Sequence, residues 1–555
     1  MNQENSDSKI CPICGRPTHK ESKYCIFHAG AEEKTEEEFK KALKEYVNKI
    51  KEKASDYNFK KFIFVGNIDF KNDLDIAIFK NVYFEEATFE SFAAFEKATF
   101  KGDANFREAT FKGDADFGQS TFQRDADFTR SNFKKFVYFR SATFNGDVDF
   151  WEVKFNGGVN FQEANFNKFT YFNNANFGLD ANFQKATFKE YVHFDWATFP
   201  MSADFRRANF KSDANFLCTT FKWYAYFRRV TFEDDAHFME ATFEGDADFR
   251  RATFESDADF RDAIFEEDVY FKGITFHRNA DFKKATFKGD AYFHIKSFVK
   301  SIIFTNVNIL PGKKINLKVE NNKGNVSFER AYLEDAYLNI DFIPGVLIDF
   351  TDTLLRNTKM ERDQIENHIL QEEKRGFSEA KQVYLLLKNN FHSIGRYNDE
   401  SWAFKKEKDM ERKSYCCFKS LHKWLWSCFL NIIYGYGEKP WNVIFSAGFI
   451  IIFFSLFFSV IGIANPEIIE LNGTAIHQNS GNIVNLASKG FLKSNVIRNF
   501  PDSLYFSLIT FTTLGYGDFR PLEGWGRILA GSEAFIGAFM MALFVYTFAR
   551  RTGGR

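Results

Sequence analysis

The chain has 555 residues, with 73 lysines and arginines against 74 aspartates and glutamates and a formal net charge of −1. That length provides for several domains, and the even charge balance excludes a wholesale polyelectrolyte partner such as nucleic acid. The compositional outlier is phenylalanine, with 74 residues.

At the amino end, within residues 1–34, Cys11-x2-Cys14 and Cys25-x2-His28 form two close-spaced pairs. Four soft or borderline ligands in two such pairs suit a tetrahedral, structural Zn²⁺; His19 falls inside the loop between them. Thiolate ligation requires a reducing compartment, which places this end in the cytoplasm. Thr35-x-x-Glu38 is a capping box that opens a charged helix to about Lys53. This helix occupies 35–58 as a spacer or as the cap of a repeat region that begins at 59.

From Phe84 a phenylalanine recurs every 11 residues to Phe304 without a gap, and a second series with the same period runs from Phe89 to Phe298. The spacings alternate five and six, and a small residue stands two positions before most of these phenylalanines, as at Ala104, Ala109, Ala115, Ser120 and Ala126. A fixed short period means a solenoid whose units bury their faces only against their neighbours. The pattern resembles that of pentapeptide-repeat proteins. The resemblance implies a right-handed β-solenoid over 59–345, with the small residue and the phenylalanine pointing inward and polar residues outward. The departure is an extra residue at every second corner, often within Lys-Gly-Asp or Glu-Gly-Asp. With four sides a coil takes 22 residues, so Phe84 to Phe304 makes about ten coils and a rod roughly 50 Å long at ~4.8 Å per coil. The phenylalanine stacks read as core, not as a ligand site. Arg206, Arg207, Arg228, Arg229, Arg250 and Arg251 alternate along the sequence with acids, which argues against a DNA-mimicking surface. Ala331 to Leu338 adds two units of leucine type.

Helical periodicity takes over in 346–414. Ser378 to Phe391 carries Ala380, Val383, Tyr384, Leu387 and Phe391 on one face, Gly395 marks a turn, and Asp399 to Lys413 is a second, charged helix. The hairpin is a linker, or a coupler that passes movement of the rod onward. Over 415–440, Trp424, Trp426, Tyr434, Tyr436 and Trp441 read as an aromatic belt at a membrane interface. Cys416, Cys417 and Cys428 read as packing residues, with lipidation the alternative. Tyr434 to Glu438 contains Gly-Tyr-Gly, but no threonine stands two residues before its first glycine; it reads as an interfacial elbow.

Val443 to Ile463 is 21 residues without a charge, long enough to cross a ~30 Å hydrocarbon layer. Ile528 to Phe548 is a second such stretch, broken only by Glu533. Between them 465–499 reads as an extracellular loop, whose Asn472-Gly473-Thr474 sequon means nothing without a eukaryotic secretory pathway. Asp502 to Thr512 follows Pro501 as a short amphipathic helix with a cap at its start, its C-terminus aiming partial negative charge at the residues beyond. Those residues are Thr513-Leu514-Gly515-Tyr516-Gly517-Asp518. K⁺ selection needs rings of backbone carbonyls supplied by four T-x-G-Y-G loops, and glycine reaches the unusual backbone angles that aim successive carbonyls at one axis. Within 441–555 the order is outer helix 443–463, pore helix 502–512, filter 513–518 and inner helix 528–548.

This layout resembles that of the two-transmembrane potassium channels of bacteria and archaea, with Leu514 in place of the commoner valine at a position that contributes its carbonyl. The match runs from Trp441 to Arg551, about a fifth of the chain. It implies a homotetramer conducting K⁺ passively. The ion-facing oxygens would come from Thr513 (carbonyl and hydroxyl), Leu514, Gly515 and Tyr516, with Gly517 and Asp518 at the outer mouth and Tyr516 important for selectivity. The elbow Gly-Tyr-Gly-Glu-x-Pro-Trp is similar to those before the first span of pentapeptide-repeat channel proteins. Gly531 and Gly537 let the inner helix bend or pack closely. Glu533, an intramembrane carboxylate, sits behind the filter bonded to pore-helix or filter groups, or faces the cavity.

Basic residues before the first span and between the spans balance, so they do not orient the protein. Arg550, Arg551 and Arg555, with the thiolate argument, favour a plasma or inner membrane of a bacterium or archaeon, with both termini and the solenoid cytoplasmic. No Walker loop, dinucleotide fingerprint, other catalytic constellation or arginine-rich voltage sensor is present, so an enzyme is not expected. The expected protein is a tetrameric K⁺ channel with a solenoid for regulation or scaffolding. Its partners are membrane lipid, three further copies and an unidentified cytoplasmic protein, with no nucleic acid. Its ions are K⁺ in the filter and a structural Zn²⁺. The alternative is a membrane-anchored scaffold whose rod binds a partner; a K⁺-uptake subunit of a larger transporter fits less well with one filter and two spans. Gating is left to a protein partner, to metal or redox state at the zinc knuckle, or to membrane tension.

Overall fold

The computed structural model describes residues 10–53, 55–321, 324–415, 420–471, 474–477 and 494–552, and of 465–471, 474–477, 494–496 and 551–552 only the backbone. Cys416, Cys417, the Asn472-Gly473 part of the sequon, most of the 465–499 loop and Arg555 lie outside the described residues. The chain divides into two compact units, Met1–Gly376 and Phe377–Arg555.

The first unit is a β-solenoid. Its strands are mostly two residues long and pair in parallel with the strand one coil away, as Ala115 does with Ala93 and Val137. Strands sharing one side of the coil line up as sheets, one of 14 strands running from Tyr57–Asn58 to Leu347–Asp349. Phenylalanine fills the interior because a flat ring matches the rise between coils. Phe172, Phe194 and Phe216 stack at 4.9 Å, while Phe183 meets Phe194 edge-on at 5.5 Å and 89°. Offset-stacked and edge-to-face contacts of this kind add ~0.5–1.5 kcal/mol per pair to the burial itself.

The corners explain the rest of the repeat. At one type a β-turn closes between the phenylalanine and the next small residue, as from Phe117 to Ser120. Its third residue, Gln119, has φ 56°, a position where glycine is usual. The Asp or Asn before the phenylalanine caps the turn: Asp116 accepts from the Gly118 N–H at 2.7 Å. At the corners with the extra residue, an aspartate accepts from the backbone N–H one coil on, Asp125 from Asp147 at 3.0 Å and Asp268 from Asp290 at 2.9 Å. Glycine before that aspartate allows close approach; a Cβ on Gly289 would lie 2.2 Å from the Glu267 carbonyl.

Both ends of the solenoid extend past the expected limits of 59 and 345. Beyond Leu347–Asp349, bridges join Tyr332 to Leu354, Tyr337 to Lys359 and Ile348 to Ile369. In these last coils only Phe328 and Phe350 continue the stack, at 6.0 Å, and Leu333, Leu338, Leu355 and Met360 fill the remaining interior. Thr353 and Thr358 take the inward small position, and their hydroxyls donate to the carbonyls of Phe328 and Leu333 at 2.8 and 2.6 Å, so a buried polar group is satisfied where alanine usually stands. Helix thus begins later than 346. At the other end α1 (Glu36–Lys53) buries Phe39, Leu43, Val47 and Ile50, and Phe39 lies edge-on to Phe64 at 5.7 Å. The Thr35–Glu38 box is formed in both directions at 3.3 Å. Of the two roles open to this helix, it takes that of a cap. A short α2 (Leu370–Glu373) closes the unit.

The second unit is helical. α3 (Phe377–Ser393) and α4 (Tyr397–Ser414) form a hairpin about Gly395, at φ 72°. The face expected from Ala380, Val383, Tyr384, Leu387 and Phe391 is buried. α5 (Leu421–Tyr434) is followed by a kink at Gly435–Gly437, then by α6 (Pro440–Ile461), α7 (Phe500–Phe511) and α8 (Trp525–Thr552). Two of these, Pro440–Ile461 and Trp525–Arg550, are long and apolar enough to cross a membrane, and they expose Phe445, Phe449, Phe535 and Phe539. The expected aromatic belt is only partly formed: Trp424, Trp426 and Trp441 are exposed, but Tyr436 is buried because its hydroxyl reaches Ser427 at 2.7 Å. The stretch read as a loop also contains strand. Ile463–Leu471 pairs antiparallel with Thr474–His477, Ser494–Ile497 and Arg520–Pro521.

Candidate functional site

α7 starts earlier than the sequence suggests. Its cap is Asn499, whose side-chain oxygen accepts from the Asp502 N–H at 3.0 Å, not Asp502 itself. Proline is tolerated in a first turn, where its missing N–H has no helical partner anyway, so Pro501 does not delay the helix. α7 buries Ser503, Phe506, Ser507, Ile509 and Phe511, with Phe506 edge-on to Phe458 of α6 at 4.9 Å.

Directly after α7 the backbone alternates. Thr513, Gly515 and Gly517 have φ of 58°, 52° and 84°, while Leu514 and Tyr516 between them stay out of the left-handed region. Alternation of this kind turns successive peptide units so that their polar groups form rows along the segment. Two of the three positions are glycine, which takes the conformation freely; Thr513 does so at a cost of ~1–2 kcal/mol. Leu514 and Tyr516 project their side chains away from this chain, 60% and 70% exposed.

The inner helix α8 packs behind α7. Glu533 is fully buried, and one of its oxygens accepts from the Ser507 hydroxyl; Ser507 also lies 2.9 Å from the Ile451 carbonyl of α6. Within this chain the Glu533 carboxyl therefore lies against α7, near α6. Gly537 meets the end of α7, where a Cβ would sit 1.9 Å from the Phe511 oxygen, whereas Gly531 has nothing within 4 Å. Close packing therefore accounts for Gly537 and leaves Gly531 free.

At the other end of α8, Arg550 pairs with Glu438 of the elbow at 3.0 Å and lies over the Phe404 ring of α4 at 4.6 Å. Neither contact was visible in the sequence, since the three residues are widely separated along the chain. Gly435, Tyr436 and Gly437 all have positive φ. The second Gly-Tyr-Gly is thus a chain reversal between α5 and α6.

In the first unit Cys11, Cys14, Cys25 and His28 converge, their ligand atoms all within 4.8 Å of one another. The Cys14 and Cys25 sulfurs are 3.5 Å apart, and the His28 Nδ1 is 3.5 Å from Cys11 and 3.2 Å from Cys25. A tetrahedral Zn²⁺ with bonds of ~2.0–2.3 Å has edges of about this length. The other ring nitrogen, Nε2, faces the Lys60 carbonyl at 3.1 Å, which orients Nδ1 toward the sulfurs. Burial holds His28 below its usual pKa and pushes the Cys25 thiol up to about 12; a divalent cation is what would keep such a thiol ionised. Nearby Lys34 donates to the Ile26 and Ile63 carbonyls at 2.7 Å, and burial lowers its pKa to about 8. The cluster adjoins the end of the solenoid, where Phe27 stacks on Phe62 at 4.6 Å and its carbonyl accepts from the Ile63 N–H.

Residues 479–553 match the ion channel family model, and stretches between 77 and 275 match the model for pentapeptide repeats. The chain is similar to the potassium voltage-gated channel protein shk-1 of Caenorhabditis elegans, at 44% identity over 45 residues, 8% of this chain and 8% of that protein. It is also similar to a putative potassium channel protein of Rhodopseudomonas palustris, at 32% identity over 56 residues, 10% of this chain and 14% of the relative. The chain thus spans only a small part of the curated relatives it matches. No solved structure matches it.

Proposed function

We propose that this chain, which joins a channel domain homologous to those of potassium channels to a pentapeptide-repeat β-solenoid, assembles as a homotetrameric, K⁺-selective channel. Four copies of Thr513 to Asp518 would surround one axis. The observation that carries the reading is the alternation of left-handed φ at Thr513, Gly515 and Gly517 immediately after a capped pore helix. K⁺ gives up its hydration shell to the carbonyls of Thr513, Leu514, Gly515 and Tyr516, joined by the Thr513 hydroxyl. Gly517 and Asp518 lie at the mouth. The α7 dipole adds partial negative charge near its C-terminus, and the Glu533–Ser507 bond fixes α7 against the inner helix.

In this account the solenoid is cytoplasmic and regulates or scaffolds the pore, and the Cys11, Cys14, Cys25 and His28 cluster holds a structural Zn²⁺ that closes the solenoid's first coil. α4 and the elbow act as the coupler, because both touch Arg550 at the end of the inner helix. Liposomes containing the purified protein test the reading: K⁺ efflux should be protein-dependent and should disappear with Gly515→Ala. Equal efflux through that variant, or none from a well-folded tetramer, would favour a membrane-anchored scaffold instead.

A further inference from the structure

At several places along the solenoid a cation pairs with a carboxylate one coil away. Lys112 reaches Glu90 at 2.9 Å, Arg130 reaches Glu152 at 2.7 Å, Lys185 reaches Glu163 at 2.8 Å and Lys288 reaches Glu266 at 2.7 Å. One corner instead gathers cations on successive coils. There Arg206-Arg207, Arg228-Arg229 and Arg250-Arg251 follow one another over three successive coils, all six exposed. Their register is fixed by backbone bonds from Arg207 N–H to the Arg228 carbonyl at 3.1 Å and from Arg229 N–H to the Arg250 carbonyl at 3.0 Å. Arg206 and Arg250 turn back onto Asp204 and Asp248 at 2.6 and 2.7 Å. The coil between them carries Tyr226 where its neighbours carry aspartate, so Arg228 lacks that partner. Among the described residues Arg207, Arg228, Arg229 and Arg251 have no ion pair.

The cleft at this corner has a volume of ≈ 330 Å³ and is lined by Gln184, Lys185, Arg206, Arg207, Arg228 and Arg229. Unneutralised arginines whose backbones lie about one coil rise, ~4.8 Å, apart repel one another. The same spacing lets each take a different oxygen of one multiply charged anion, and the planar guanidinium fork suits phosphate in particular.

We propose that this corner binds a ligand with clustered phosphate groups, gripped by Arg207, Arg228 and Arg229. The chemistry is shared by soluble polyphosphates and by phosphorylated lipid headgroups. The site lies wholly in the solenoid and does not depend on the pore reading.

The experiment uses the full-length protein in neutral detergent. Tripolyphosphate and adenosine monophosphate are titrated calorimetrically, and co-flotation is measured with phosphatidylcholine vesicles with and without phosphatidylinositol bisphosphate. Tripolyphosphate or the phosphoinositide vesicles should bind, with an affinity that falls steeply as salt rises. The double variant Arg207→Asn, Arg229→Asn should bind about tenfold or more weakly. Asparagine tolerates the φ of 60° and 59° at these corners, so the variant should melt no lower than wild type. Arg261→Asn, which removes an arginine already paired with Asp259 at 2.6 Å, should bind as wild type does. Tripolyphosphate binding without flotation assigns a soluble ligand, and flotation alone assigns a lipid headgroup. Binding by neither probe, monophosphate binding as tight as tripolyphosphate, or an unchanged affinity in the double variant overturns the proposal.

Discussion

Gly537 of α8 lies so close to Phe511, the last residue of α7, that a Cβ would stand 1.9 Å from the Phe511 carbonyl oxygen and 2.8 Å from its carbon. Backbone of this kind cannot move aside as the tip of a flexible side chain can. Gly537→Ala should therefore push the inner helix from the pore helix, giving a lower melting temperature in detergent and less tetramer. Gly531→Ala, with nothing within 4 Å, should be tolerated and gain up to ~1 kcal/mol in helix propensity. Equal behaviour of the two variants would contradict this packing.

The solenoid core and its corners should respond in opposite ways. Phe194 is fully buried between Phe172 and Phe216, so Phe194→Ala should destabilise the solenoid by ~3–5 kcal/mol. Lys284 has φ 60° at an exposed corner. Lys284→Gly relieves left-handed strain but gains freedom in the unfolded chain, so stability should change by less than ~1 kcal/mol. Denaturant unfolding followed by circular dichroism separates the two cases, and comparable losses would contradict the turn assignment.

Zinc should belong to the solenoid cap. Elemental analysis of the purified protein should find about one Zn²⁺ per chain, and Cys25→Ser or His28→Ala should abolish it. Because the cluster adjoins Phe27 and Phe62, its loss should raise hydrogen exchange in the first coils and leave the later coils protected, as expected when repeats contact only their neighbours. Full metal retention in Cys25→Ser would remove the site.

Arg550 ties the inner helix to the elbow through Glu438 and to α4 through Phe404. Arg550→Ala should change how often the channel opens without changing which ion it passes, because the residue lies at the far end of the inner helix from the filter. Single-channel recording reads both quantities. An altered K⁺ to Na⁺ preference would argue against a coupling role.

The solenoid was legible because one bulky residue type marks every side of the coil from Phe84 to Phe304. It stopped being legible where Thr353 and Thr358 replaced the small apolar residue and satisfied their hydroxyls on carbonyls 25 residues earlier. The Thr513 to Asp518 motif and its flanking helices were readable from composition and length, but not the cap at Asn499, since Pro501 resembles a boundary. Nor was the arginine row. Neighbours along the sequence alternate in sign there, but in a solenoid electrostatic neighbours lie one coil apart, and that relationship appears only once the chain is wound.

The central claim is most directly tested by the reversal potential of the reconstituted protein in a planar bilayer with K⁺ on one side and an equal concentration of Na⁺ on the other. A carbonyl-lined filter built from Thr513 to Asp518 predicts a reversal potential far from zero, with the sign of K⁺ selectivity, and its loss in Tyr516→Asp. A current that reverses at zero in the wild-type tetramer would contradict the account.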